Sequence, residues 1–130
     1  MRQARHVLLV DDDPEYRDIA TALLQKHGLR VSSAKDGSEG IRLCLELKPD
    51  LVLMDVQMPK KDGIETTQEL HQNPQTKDIP VIFLTNLGDN NPMGINQDKR
   101  FSREFGAADY FKKGGDFSLL VEKIEDLAKK

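Results

Sequence analysis

Five residues in this chain are of the types that handle phosphate together with a hard cation: Asp11, Asp12, Asp55, Thr85 and Lys113. Each stands at the end of a short apolar run or just beyond one. His6 to Val10 (HVLLV) runs into Asp11 and Asp12, Leu51 to Met54 (LVLM) into Asp55, and Ile79 to Leu84 (IPVIFL) into Thr85, while Lys113 follows Ala108 to Lys112 (ADYFK). Open parallel sheets bind ligands in the crevice beyond the carboxyl ends of their strands. If these runs are such strands, three carboxylates, a hydroxyl and an ammonium converge on one edge. Two ionised acids about 4 Å apart repel by roughly 4 kcal/mol at an effective dielectric near 20, so three together call for a cation. Mg²⁺ suits the demand, because it takes oxygen ligands, keeps several waters and is typically held by one or two carboxylates plus phosphate oxygens. A metal of that kind implies a phosphate. Lys113 supplies a second positive charge for it and Thr85 a hydroxyl donor, which leaves Asp55 as the candidate nucleophile of an in-line transfer. Taken singly, Asp55 reads as a strand end opening a turn, Thr85 as a turn cap and Lys113 as a solvated charge. All five together at strand ends are better explained by chemistry than by five separate accidents of turn formation.

The elements that must position them follow from the spacing of apolar residues. Leu51 to Met54 is apolar without alternation, as expected of a strand buried on both faces. Pro14 suits a first helical position and makes Asp13 an N-cap, so Asp13 reads as structural. Tyr16, Ile19, Ala20, Leu23 and Leu24 give one apolar face to a helix over 14–27, stopped at Gly28. A short strand is expected over 30–34 and a helix over 38–47, with Ile41, Cys44 and Leu45 on one face. Lys60 to Gly63 reads as an exposed loop, and 64–72 as a helix with a poor apolar stripe. A long Asn- and Gly-rich loop over 86–96 precedes a predicted helix over 97–105, with Phe101 and Phe105 on one face. Asp116 or Ser118 caps a closing helix whose inner face is Phe117, Leu120, Val121, Ile124, Leu127 and Ala128. Strand and helix alternate five times, which predicts an α/β, doubly wound, five-stranded parallel sheet covered on both faces.

Composition limits the rest. The chain has 130 residues, enough for one domain over 1–130 and too few for two ordinary ones. Charged residues make up 32% but sum to only −3, which favours neither DNA nor an acidic membrane surface. No run is long and apolar enough for a membrane span, and no secretory leader is recognisable, so a soluble, cytoplasmic protein is expected. Cys44 is the one cysteine and sits among Leu43, Leu45 and Leu47, as a small buried hydrophobe would. His6, His27 and His71 form no metal-binding pattern and read as surface or packing residues.

The motifs together resemble the receiver domain of two-component response regulators. LLVDDDP from Leu8 to Pro14, LVLMDVQMP from Leu51 to Pro59 with Asp62-Gly63, FLT from Phe83 to Thr85 and GAADYFKK from Gly106 to Lys113 carry the likeness, which spans essentially the whole chain. The resemblance implies a flavodoxin-like (βα)5 fold with strand order 2-1-3-4-5. It implies that Asp55 is phosphorylated from a phosphohistidine on a sensor histidine kinase or phosphotransfer protein. It further implies that Asp12, Asp55 and the backbone carbonyl of Gln57 hold Mg²⁺, with Asp11 acting mostly through water, and that Lys113 pairs with the phosphoryl oxygens. Thr85 and Tyr110 would then act as the switch, reshaping the face formed by the helix over 97–105 and the last strand toward a downstream protein effector, or toward a second copy in a phosphorylation-dependent dimer. No nucleic-acid or membrane contact is implied, and the only catalysis is of the domain's own phosphorylation and dephosphorylation.

Several positions depart from the family pattern. Gly114 and then Gly115 follow Lys113 where the family commonly has proline, which leaves the aim of Lys113 open and Lys112 as its competitor; the spacing from Tyr110 favours Lys113. The loop after Thr85 is long, Asn86 replaces a small residue, and Gln57 and Leu87 stand where they could alter water access to an aspartyl phosphate. Two rivals belong to other classes. A phosphatase of the haloacid dehalogenase type needs a second acid two residues after the nucleophile, where this chain has Gln57. A receiver-like interaction module that is never phosphorylated is the other.

Overall fold

The computed structural model describes residues 5–58, 62–85 and 103–128. Five parallel strands, β1 (His6–Val10), β2 (Arg30–Ala34), β3 (Leu51–Asp55), β4 (Val81–Thr85) and β5 (Asp109–Lys112), form one sheet in the order β2-β1-β3-β4-β5. Four helices are described: α1 (Pro14–Lys26), α2 (Gly37–Leu47), α3 (Gly63–Gln72) and α4 (Phe117–Ala128). Most of the helix predicted over 97–105 lies outside the described residues, as do Asn86 and Leu87. The doubly wound α/β architecture expected from the alternation is therefore present, in the strand order the resemblance implied.

The unbroken apolar runs are explained by the two layers they separate. Val7, Leu9, Leu51, Leu53, Ile82 and Leu84 face α1 and α4, where Leu24, Leu120 and Ile124 complete a core. Their neighbours Leu8, Val10, Val52, Met54, Val81 and Phe83 face the other way, onto Cys44 of α2 and Leu70 of α3. Each fully buried leucine contributes about 1.5–3 kcal/mol by leaving water. The backbone immediately before the ends of β1, β3 and β4 is thus fixed from both sides.

Local signals act as the sequence suggests, with some corrections. Asp13 caps α1 by accepting from the Glu15 and Tyr16 amides, and Asp116 accepts from the Ser118 amide before α4. Gly28 follows α1 with φ 85°. Ile19, however, is 49% exposed, because the inward stripe of α1 is narrower than the apolar pattern and passes through Ala20 and Leu24. β4 begins at Val81 and excludes Ile79; Pro80 has no N–H for the ladder, although its carbonyl accepts from Val52 N at 3.0 Å. Helix α3 looks poor in sequence because its buried face is made of Gly63, Thr66, Thr67 and Leu70. Thr66 satisfies its hydroxyl on the Asp62 carbonyl at 2.8 Å, one turn back along the helix. Among the described residues no helix is long and apolar enough to cross a membrane.

Asp62 and Gly63 are not loop residues. Asp62 caps α3 through the Glu65 amide, and Gly63 is the first helical residue, buried against the end of β3. A Cβ at Gly63 would run into the Asp55 carbonyl oxygen and crowd the Met54 side chain. Backbone cannot yield as a flexible side chain can, so Gly63→Ala should act as overpacking, costing roughly 1–3 kcal/mol. The expected outcome is a melting temperature lower by roughly 4–10 °C in a thermal denaturation; an unchanged melt would show that β3 and α3 can separate freely.

Candidate functional site

The sheet order makes the crevice. From β1 the chain winds outward to β2, then returns past β1 to add β3 on its other side, so the loops after β1 and β3 diverge and leave a cleft between them. Asp11 and Asp12 enter this cleft from β1 and Asp55 from β3. One carboxylate oxygen from each lies within 4.8 Å of the others. Asp11 and Asp55 are buried, whereas Asp12 is exposed at the cleft mouth. Lys113 reaches in from beyond β5, its Nζ 2.7 Å from Asp11 Oδ2 and 3.5 Å from Asp55 Oδ2. The Asp11 contact is not aligned as a hydrogen bond, so it acts as a charge pair.

Backbone groups hold the two buried acids in place. Asp11 Oδ1 accepts from the Asp13 amide at 2.9 Å, and Asp55 Oδ1 from the Gln57 amide at 3.2 Å. Arg17 NH1 donates to the Asp11 carbonyl at 2.7 Å, bracing the turn into α1. Burial, first of all, and then the neighbouring Asp11 charge push the Asp55 carboxyl up to about 8; Lys113 works against them, a hydrogen bond with Asp12 raises it further and the Gln57 amide lowers it. Burial alone would lower Lys113, but contact with Asp11 and the charges of Asp55 and Asp11 outweigh it and hold the ammonium above the ordinary lysine value. A buried carboxylate with a raised pKa, beside two further acids, is what a hard divalent cation would relieve. The donor set is all oxygen, so these residues fit Mg²⁺.

Thr85 ends β4, the neighbour of β3, with Leu84 paired to Asp55. Adjacent strands lie about 4.8 Å apart, which sets Thr85 beside the acids in the sheet. Its Oγ1 is buried with no hydrogen-bond partner. The Lys113 amide donates to the Thr85 carbonyl at 2.8 Å, so these two positions are joined through the backbone. Lys112, the competitor for the lysine role, is exposed and pairs in register with Thr85, while Lys113 points to the acids. Gly114 adopts φ 91°, a left-handed conformation closed to proline. Tyr110 is half-buried on β5, with Lys123 Nζ 5.7 Å from its ring centroid. Cys44 is buried in the core and its thiol is pushed up to about 12 by burial. His6 bonds Ser32 Oγ at 2.8 Å and His27 the Leu23 carbonyl at 2.9 Å, in keeping with packing roles.

One residue read from the sequence as a helix-face aromatic belongs to the cleft. The Tyr16 ring lies under Lys113, with Nζ 4.7 Å from its centroid. Helical spacing marked Tyr16 as inward-facing; nothing local to it could show that the chain would bring Lys113 there from the far end of the sequence.

Known proteins resemble the chain along nearly its whole length. The sequence model of the family described as the response regulator receiver domain matches residues 7–125. The chain is 37% identical over 118 residues to protein PilH of Pseudomonas aeruginosa, covering 91% of this chain and 93% of PilH. To the DNA-binding dual master transcriptional regulator RpaA of Synechocystis sp. it is 36% identical over 124 residues, which is 95% of this chain but 49% of RpaA. It thus spans about half the length of some curated relatives it matches. Among solved structures, the receiver domain of a Pseudomonas aeruginosa sensor histidine kinase, with a magnesium ion coordinated in its active site cleft, superposes with a TM-score of 0.82. The two are 26% identical, and the match covers 98% of this chain and 99% of that one.

Two outcomes follow from the site's electrostatics and its turn. With the Asp55 carboxyl raised from 3.8 to about 8, the folded state binds more protons than the unfolded one between those values. Metal-free protein should therefore lose stability as pH rises through this window, and Asp55→Asn should remove that slope. Urea denaturation should show the variant's advantage over wild type growing by on the order of 1–3 kcal/mol from pH 5 to pH 8. Equal slopes would mean that Asp55 is ionised at no cost. Gly114→Pro, although it installs the family's usual residue, should lower the melting temperature, because proline holds φ near −65°.

Proposed function

This chain belongs to the response regulator receiver domain family of two-component systems, and from that premise we propose that it is a phosphoacceptor domain, over 1–130, in a phosphorelay. Asp55 attacks the phosphorus of a phosphohistidine on a sensor histidine kinase or phosphotransfer protein. An O–P bond forms, the P–N bond breaks, and its electron pair returns to the imidazole nitrogen, leaving an acyl phosphate on Asp55. The observation that carries this reading is the meeting of Asp11, Asp12 and Asp55 within 4.8 Å, with Lys113 Nζ against two of them.

The remaining residues take roles suited to their positions. Asp12 and Asp55, with the Gln57 carbonyl and with Asp11 mostly through water, would hold Mg²⁺, which when bound neutralises phosphoryl oxygens so that a carboxylate can approach them. Lys113 carries the opposing positive charge on the protein side. Thr85 has a buried hydroxyl without a partner, a donor available to a phosphoryl oxygen. Tyr110 is the second switch residue, and beside it a groove of about 270 Å³ between β5 and α4 includes Lys112, Leu119 and Lys123. A change at Thr85 would pass along β4 and β5 to the face that β5 forms with the segment over 97–105, most of which lies outside the described residues, where a protein effector, or a second copy, binds. The domain acts on no outside substrate, makes no direct contact with nucleic acid or membrane, and works in the cytoplasm.

Incubation with acetyl phosphate and Mg²⁺ should add the mass of one phosphoryl group to the intact protein. The gain should be absent in Asp55→Asn and abolished by EDTA. A wild-type protein that gains no mass under these conditions would instead be an interaction module working through its surfaces alone.

A further inference from the structure

We infer that Tyr16 is a positioning residue of the acceptor site, its ring face holding the Lys113 ammonium at the cleft. The inference rests on the phosphoacceptor reading for its meaning and on separate observations for its geometry. Lys113 leaves the end of β5 through a turn closed by the Gly115 amide on the Lys112 carbonyl at 2.9 Å, with Gly114 left-handed, which fixes its main chain but not its long, flexible side chain. Its ammonium lies 2.7 Å from Asp11 Oδ2, 3.5 Å from Asp55 Oδ2 and 4.7 Å from the centre of the Tyr16 ring. The ammonium thus meets two carboxylates and a ring face, a cation–π arrangement on a side chain only 14% exposed.

The ring is itself well held. Tyr16 stands in the first turn of α1 and packs on Phe117 with centroids 6.5 Å apart, and Phe117 packs on Phe111 of β5 at 5.8 Å. Phe111 lies two residues before Lys113, so this aromatic row ties the α1 side of the cleft to the strand that delivers the lysine. The Tyr16 hydroxyl is buried with no hydrogen-bond partner. No polar anchor therefore fixes this side chain, and its position is set by the aromatic row and by the cation. Burial and the charges of Asp11 and Asp55 raise the phenol pKa, which keeps the ring neutral beneath the lysine.

The test compares Tyr16→Phe, which keeps the ring, with Tyr16→Leu, and with Tyr16→Met should the leucine variant not fold. In the metal-free protein, the ¹⁵Nζ resonance of Lys113 should be held at a distinct shift in wild type and in Tyr16→Phe, and should move toward the free-lysine position in Tyr16→Leu. Phosphorylation by acetyl phosphate should fall about tenfold in Tyr16→Leu, the scale of a partly desolvated cation–π contact, with Mg²⁺ affinity within about twofold of wild type, and Tyr16→Phe should restore the rate. An unmoved Lys113 resonance in Tyr16→Leu, or a phenylalanine variant as impaired as the leucine one, overturns the inference. If wild type takes no phosphoryl group at all, the phosphoacceptor reading fails, and the resonance still decides whether Tyr16 positions Lys113.

Discussion

Mutual repulsion among Asp11, Asp12 and Asp55 is the constraint around which this end of the sheet is arranged. Three carboxylates within 4.8 Å, two of them buried, cannot all be ionised without compensation. Lys113 balances one charge and leaves an excess of two, which is the charge of a single divalent cation. Without that cation, burial and the Asp11 charge favour the neutral form of Asp55 and raise its pKa. The cleft is thus tuned to accept positive charge before any phosphate arrives. Burying an ionisable group among like charges costs folding stability, as the raised Asp55 pKa reflects.

That cost is borne by the sheet. Val10, Met54 and Leu84, next to Asp11, Asp55 and Thr85, are fully buried, and they belong to the two layers that clamp the strands between helices. A shift of any strand end would disturb close-packed side chains on both faces, and such cores deform little. Asp55 is held still more tightly, because the first residue of α3 lies against its carbonyl and the Gly63 amide donates to the Val56 carbonyl at 3.0 Å. Rigid strand ends allow like charges to be kept close, where a flexible loop would simply let them drift apart.

Much of this was legible in the sequence because parallel strands buried on both faces lose their alternation and stand out as apolar runs. The abrupt change from Val10 to Asp11, and from Met54 to Asp55, marks both the strand end and the chemistry. Features that depend on tertiary approach were not legible. Thr66 and Thr67 look solvent-facing yet are buried on α3, since one hydroxyl can bond its own helix. Ile19 looks inward-facing and is exposed, since its helix presents a narrower stripe to the sheet than its apolar pattern suggests. The lysine assignment turned on spacing alone until Lys113, not Lys112, proved to reach the acids. Strand order 2-1-3-4-5 came with the family likeness, because periodicity fixes the elements but not their neighbours.

On the proposed reading, the same arrangement explains how a local bond could be felt at a distance. Before reaction the Lys113 ammonium sits closer to Asp11 than to Asp55, by 2.7 Å against 3.5 Å. Esterification of Asp55 would place new anionic oxygens near a cation that needs to move only a short way to meet them. Lys113 is not free to move alone: its amide is bonded to the Thr85 carbonyl, and Thr85 pairs with Lys112 across β4 and β5. Thr85 brings a hydroxyl that has no partner, so a phosphoryl acceptor offers it a bond that the unmodified state lacks. A ligand shifts an equilibrium only by its differential affinity for two states, and here the difference has named sources in one ammonium and one hydroxyl. Thr85 ends β4 and Lys113 follows β5, the strand of Tyr110, so the proposed readout residue lies two strands from Asp55 on β3.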